Sequence, residues 1–313
     1  MKGVDLSKVK TYPIKKRHNK INTKEFAEIC NSSDSIAKFL DSLPSILAGK
    51  HFRELVNSIR NSKESGKPIV WGIGAHVIKV GLSPIIINLM KEGYIDAIVM
   101  NGAASIHDSE IALIGQSSED VAEGLPEGTF GMARETGEFW NRAVNKTLKT
   151  GLGAGQSLGE ELLKAKAPFI QYSILASAAK MKIPVTVHIA IGTDIVHMHP
   201  TADGKAMGSA SHKDFRILCQ VVSDMKNGGV YLNLGSAVLL PEVFLKAVTV
   251  ARNLGFSISG FTVAVMDFIR HYRAEQNVVQ RPSSMLNGKG IYLIGHHEIM
   301  IPLLSAALLG DKR

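Results

Sequence analysis

From Pro68 onward the chain alternates short, wholly apolar runs with longer segments whose apolar residues return at helical spacing, and this alternation restricts the fold more than any other feature. An apolar run that ends in glycine or a polar cluster reads as a strand covered on both faces; the helical segments between are the crossovers that parallel strands require. The pattern predicts strands at Ile69 to Gly72, Ile95 to Met100, Val185 to Ile191, Val230 to Leu234, Phe261 to Met266 and Ile291 to Ile294. Ser83-Pro84 and Pro241-Glu242 read as helix starts, and Asn227-Gly228-Gly229 as a helix stop. The expectation is an α/β fold: an open, doubly wound, mostly parallel sheet of about six strands.

Ahead of it, residues 25–64 read as two lead-in helices separated at Pro44. Residues 1–24 carry eight basic side chains against one acid, while the other 289 residues carry 28 against 27. The net charge of +8 therefore describes a basic arm, and the body, residues 25–313, is expected to be a single α/β domain that binds no nucleic acid. Only two cysteines occur, Cys30 and Cys219, which excludes a disulfide framework and a thiolate zinc site and suits a reducing cytoplasm. The start MKGVDLSKVK has no signal-peptide core, and no apolar run approaches the roughly 20 residues of a membrane span, so no membrane partner is expected. Residues 115–136 and 149–160 are rich in Gly and polar residues and read as long loops, either lids or mobile insertions.

Ligands of open parallel sheets bind beyond the carboxyl ends of the strands, so the residues that follow each run are the candidate site. They are Gly74-Ala75-His76; Asn101-Gly102-Ala103, leading to His107-Asp108; Asp194 with His197 and His199; Gly235-Ser236; Asp267 with Arg270 and His271; and Gly295-His296-His297. Eight of the eleven histidines lie in or just after predicted strands. The small residues would admit a phosphate or ribose, although Gly72-x-Gly74 and Gly153-x-Gly155 lack the third glycine of a dinucleotide fingerprint. His107, Asp108, His197, His199 and His296 offer an alternative donor set for a metal, without any spacing of known strength. Asp267 and Glu242 suit a cationic substrate or a ribose; Glu242 also sits in the first turn of a helix, where the macrodipole alone favours an acid.

The stretches GIGAHVIKVGLSPIIINLMKEGYIDAIVMNGAA, TFGMARETG, KMKIPVTVHIAIGTD and NGGVYLNLGSAVLLPEVFLKAV, the Arg281-Pro282 pair and the closing IPLLSAALL occur in an order that resembles deoxyhypusine synthase over nearly the whole chain. The resemblance implies a Rossmann-like NAD-binding sheet, a homotetramer with sites shared between subunits, and dehydrogenation of spermidine followed by aminobutyl transfer through an enzyme lysine to a protein lysine. It further implies an NAD site at Gly74, Ala75, His76, Asn101, Gly102, Ala103, Asp194, Gly235, Ser236, Gly295 and His296. The chain departs from the family where the polyamine is held: Arg273–Val279 replace its Gly-Ser-Asp-Ser-Gly-type segment, and Pro241-Glu242 fall near its substrate histidine. The nucleophile has one candidate, Lys289 in Asn287-Gly288-Lys289-Gly290.

The functional expectation is an NAD-dependent, deoxyhypusine synthase-like enzyme. In it Lys289 forms the imine, Asp194, Asp267 or Glu242 holds the substrate ammonium, and His197 moves protons. The alternatives are a metal-dependent hydrolase or lyase on the same sheet, and a non-catalytic NAD-binding module.

Overall fold

In a computed structural model that describes residues 2–310, six strands form one all-parallel sheet. They are β1 (Ile69–Ile73), β2 (Ala97–Asn101), β3 (Val185–His188), β4 (Val230–Leu234), β5 (Thr262–Asp267) and β6 (Lys289–Ile294). Their order, β3-β2-β1-β4-β5-β6, reverses direction between β1 and β4, the switch point of a Rossmann-like fold. The apolar runs have a simple cause. Ile69, Trp71 and Ile73 of β1 feed one core together with Leu232, Leu234, Ala264 and Met266. Their neighbours Val70, Tyr231, Val263 and Val265 feed a second core on the opposite face. Each strand is therefore apolar at most positions, with Thr186 and His188 of β3 and Asn233 of β4 among the buried polar exceptions.

The second core is closed by helices Gly204–Ser223 and Leu239–Asn253, through residues such as Leu218, Val222, Phe244 and Ala251. Helices Leu47–Glu64, Ser83–Lys91, Gly102–Ile114 and His297–Leu309 cover the first. The lead-in differs from expectation: its first helix begins at Ile36, capped by Ser35, and residues 25–28 are instead tied down by backbone bonds from Ser45 N–H to Glu25 O and from Glu28 N–H to Ser42 O, both 2.9 Å. No residue from 2 to 35 is buried.

Every strand but β4 differs from its predicted bounds, mostly by one or two residues, and two of the shifts have a visible cause. β3 stops at His188, because Ile189 N–H turns to Ser211 Oγ and a tight turn follows through Gly192. β6 begins earlier, at Lys289, where backbone pairing with Thr262 starts. The segment expected to be a loop at 149–160 is mostly helix, Ala154–Ala165. Its glycines serve close packing: a side chain on Gly155 would collide with Val185 O, and one on Gly153 with the Asp214 carboxylate. That carboxylate accepts from Gly155 N–H at 3.0 Å and Val187 N–H at 2.8 Å, stitching the helix start to the outer edge of β3. The other long segment keeps irregular backbone around a short helix, Val121–Gly124.

Candidate active site

The strand ends build two adjoining features. At the switch point Gly74 and Gly235 abut: Gly74 N–H donates to Leu234 O at 2.8 Å, and any side chain on Gly74 would collide with Gly235 O. Beside them stand four rings. His76 lies 5.6 Å from Phe268 and 5.5 Å from His297, and Phe268 stacks nearly parallel to His296 at 6.4 Å. His297 is fully buried, with Nε2 3.1 Å from Met266 O and Nδ1 unpaired; burial lowers its pKa. Phe268, in contrast, is exposed and turns a ring face outward. Asp267 is buried at the end of β5, where it accepts from Phe268 N–H at 2.9 Å and has His271 Nε2 3.7 Å from its second oxygen. Ser236 uses its hydroxyl to accept from Leu240 N–H at 3.2 Å.

The second feature is a cavity of about 210 Å³ over the end of β2, lined in part by Lys79, His107, Glu110, Glu119, Phe130 and Asp194. Asn101 caps helix Gly102–Ile114 by accepting from Ala104 N–H at 2.9 Å, and the Ala103 amide donates to Asp194. Gly102 has to be glycine, since a Cβ there would collide with the Asp194 carboxylate. Burial pushes the Asp194 carboxyl up to about 6. His197 Nδ1 accepts from Gly192 N–H at 3.0 Å and Asp194 N–H at 3.3 Å, so its proton resides on Nε2. That N–H lies 3.9 Å from Asp194 Oδ2; both atoms are buried, and neither has a partner. Trp140 stands edge-on to the His197 ring at 6.3 Å, its own Nε1–H held by Ser105 Oγ at 2.9 Å.

Glu110 sits one turn beyond His107. Its Oε2 accepts from Ser117 Oγ at 2.7 Å and its Oε1 from Thr136 Oγ1 at 2.8 Å, while Ser117 Oγ also bonds His107 Nδ1. Burial raises the Glu110 carboxyl, but the bonds to His107, Ser117 and Thr136 outweigh it and hold the group below its usual range. Glu110, Glu119, Ser117 and Lys79 are absent from the sequence-derived candidates. The i, i+3 spacing of His107 and Glu110 on the helix after β2 is a signal by which the pair could have been found.

Other predicted site residues lie elsewhere or are engaged. Lys289 is exposed at the amino end of β6, five strand residues and roughly 17 Å from the carboxyl ends where the site lies, so its side chain does not reach the cavity of its own chain. Glu242 is tied to Lys246, to Arg273 at 3.0 Å and to Asn277 Nδ2 at 2.8 Å. Asp108 is wholly buried and spends both oxygens on Ser173 Oγ, Ile174 N–H and Leu175 N–H at 2.5, 2.7 and 3.1 Å, capping helix Ile174–Met181. His199 Nε2 bonds Gly131 O at 2.8 Å, and His296 lies among the rings of the other feature. The proposed metal donors are thus dispersed or already bonded. Among the described residues no group of three or more His, Cys, Asp or Glu is placed to hold a metal ion.

No protein-family model matches the sequence, and no curated protein matches it. Solved structures do. The arginine dihydrolase ArgZ, of the ornithine-ammonia cycle in cyanobacteria, matches with a TM-score of 0.54 at 18% identity over 84% of this chain. AgrE, solved as a ternary complex with ornithine and NAD+, matches with a TM-score of 0.51 at 14% identity over 82%. The chain spans about a third of the length of each, 32%. A candidate deoxyhypusine synthase from Entamoeba histolytica matches with a TM-score of 0.50 at 12% identity, covering 100% of this chain and 98% of its own. The likeness is one of fold. Among the described residues no helix is long and apolar enough to cross a membrane.

Proposed function

We propose that this protein is an NAD-dependent enzyme that oxidises a polyamine-like amine, in the manner of the deoxyhypusine synthases it resembles. The observation that carries the reading is the adjacency of two unlike surfaces at one set of strand ends: a glycine- and ring-lined ledge, and an acid-lined cavity that includes Asp194, whose buried Oδ2 lacks a partner. The ledge suits a dinucleotide, because Gly74 and Gly235 keep the switch point free of side chains and the exposed Phe268 and His296 rings offer faces for a planar base. When bound, NAD supplies a hydride acceptor. Asp194 and Glu119 hold the substrate ammonium in the cavity, with Ile106, Val121 and Phe130 against its methylenes. The His197 Nε2–H stands 3.9 Å from the Asp194 carboxylate, beyond hydrogen-bond reach, and leaves its Oδ2 free of a partner. Aminobutyl transfer through Lys289 is not part of the reading, given its place at the far end of β6. The fold neighbours AgrE, crystallised with NAD+, and the Entamoeba protein support the same cofactor class.

Purified protein mixed with NAD+ and spermidine is expected to accumulate NADH absorbance. Asp194→Asn is expected to retain NAD+ binding while the amine KM rises about tenfold or more, the cost of losing one charge-assisted bond. A calorimetric titration showing no NAD+ binding would end the reading.

A further inference from the structure

We infer that His107, held by a Ser117–Glu110 relay, is the base that deprotonates the bound ammonium. The inference rests on the amine-oxidation reading for its substrate, but the relay itself is a property of the free protein. A serine hydroxyl has one proton. Ser117 Oγ gives it to Glu110 Oε2 at 2.7 Å, and Thr136 Oγ1 occupies the other oxygen of the same carboxylate at 2.8 Å. The contact between Ser117 Oγ and His107 Nδ1 must then run the other way, with Nδ1–H donating to the hydroxyl oxygen. With its proton on Nδ1, the ring keeps a lone pair on Nε2, and His107 lines the cavity that also holds Asp194.

The two histidines near this cavity are consequently in opposite tautomers. His197 has its Nδ1 filled by two backbone N–H donors and presents an N–H; His107 has its Nδ1–H committed to Ser117 and presents a lone pair. Of the two, only His107 can accept a proton through Nε2 without first losing one. The charged groups that face it are Glu110, one turn away with its oxygen 3.7 Å from Nδ1, and Asp194, Glu119 and Lys79 across the cavity. An ammonium brought in by the acids is thus placed beside the His107 ring, whose Nε2 is the nitrogen not committed to Ser117. The step balances as follows. The ammonium proton passes to His107 Nε2 and frees the nitrogen lone pair. That pair forms the C=N bond as the α-carbon C–H bond breaks, the hydride leaving to NAD+ to give NADH. The imidazolium then loses its proton to solvent. Ser117 and Glu110 act through His107 and are positioning residues.

Nitrogen-detected NMR of the free, full-length protein tests the relay without any turnover. The expected result is His107 as the Nδ1–H tautomer in the wild type, with the preference lost in Ser117→Ala. A wild-type His107 in the Nε2–H tautomer overturns the assignment, whatever the substrate proves to be. For the base itself, His107→Gln is expected to lower kcat on the order of 100-fold or more with NAD+ affinity unchanged, and to remove the acid limb of the kcat profile. Glu110→Gln and Ser117→Ala are expected to shift that limb, with Ser117→Thr restoring it. A His107→Gln enzyme that keeps the wild-type kcat profile overturns the role; loss of NAD+ binding in the wild type would instead sink the amine-oxidation reading and leave the tautomer result standing.

Discussion

At the scale of single residues, two buried carboxylates do different work. Asp108 serves the fold alone: its carboxyl is pushed up to about 6 by burial, yet it satisfies three donors of the segment that opens helix Ile174–Met181. Asp108→Ala should therefore cost about 3 kcal/mol in a urea titration, by stranding buried donors. Asp194 has the same elevated value, about 6, but an unpaired oxygen. In the proposed reaction its charged form holds the ammonium, so the amine KM should climb as pH falls through about 6 and flatten in Asp194→Asn. A KM equally steep in the variant would remove Asp194 from the binding step. The sequence offered Asp194 as an ammonium holder and Asp108 as a metal donor, since both follow apolar runs; only the fold shows that Asp108 has both oxygens occupied and Asp194 has one unpaired.

At the scale of elements, alternation of apolar runs with helical segments carried the architecture, because strands fed by two cores admit few polar positions. Failures came where tertiary contact overrides local preference. Gly288-Lys289-Gly290 reads as a loop, but Gly290 is glycine because Val279 O and Ser283 Oγ each lie 2.8 Å from where its Cβ would be, and the pairing with β5 runs through it. Likewise, Gly153 and Gly155 read as loop glycines, and the cause of their smallness, Asp214, lies far along the chain. Asp214 is also the edge guard of the sheet. It engages the outward Val187 N–H of β3, which an edge strand otherwise leaves open to pairing with another chain. Burial pushes its carboxyl up to about 7. Raised above the unfolded value near 4, it contributes stability that is complete below about pH 4 and lost as pH rises through about 7. His188, lowered to about 3 by burial, works in the opposite sense: its contribution is present above about 6.5 and lost as pH falls toward 3. Melting curves from pH 4 to 8 should accordingly lose their alkaline decline in Asp214→Asn relative to wild type, and an unchanged decline would contradict this account.

At the scale of the whole molecule, the basic arm remains apart from the body. Val4, Leu6, Val9, Tyr12, Ile14 and Ile21 are 61–88% exposed, an unusual set of apolar side chains to leave in water. The homotetramer that the resemblance implies makes this exposed arm a candidate subunit contact, so removal of residues 1–24 is expected to shrink the assembly in light scattering and lower turnover; a full-sized, fully active assembly would refute that expectation. The interlock of Gly102 with Asp194 has a different reach. A side chain at position 102 and a carboxylate at 194 compete for the same space, so the two positions are heritable only as a pair. On the proposed reading, a library built to change the amine has freedom at Glu119, Val121 and Phe130 of the cavity wall, whereas a side chain at residue 102 would displace the Asp194 carboxylate.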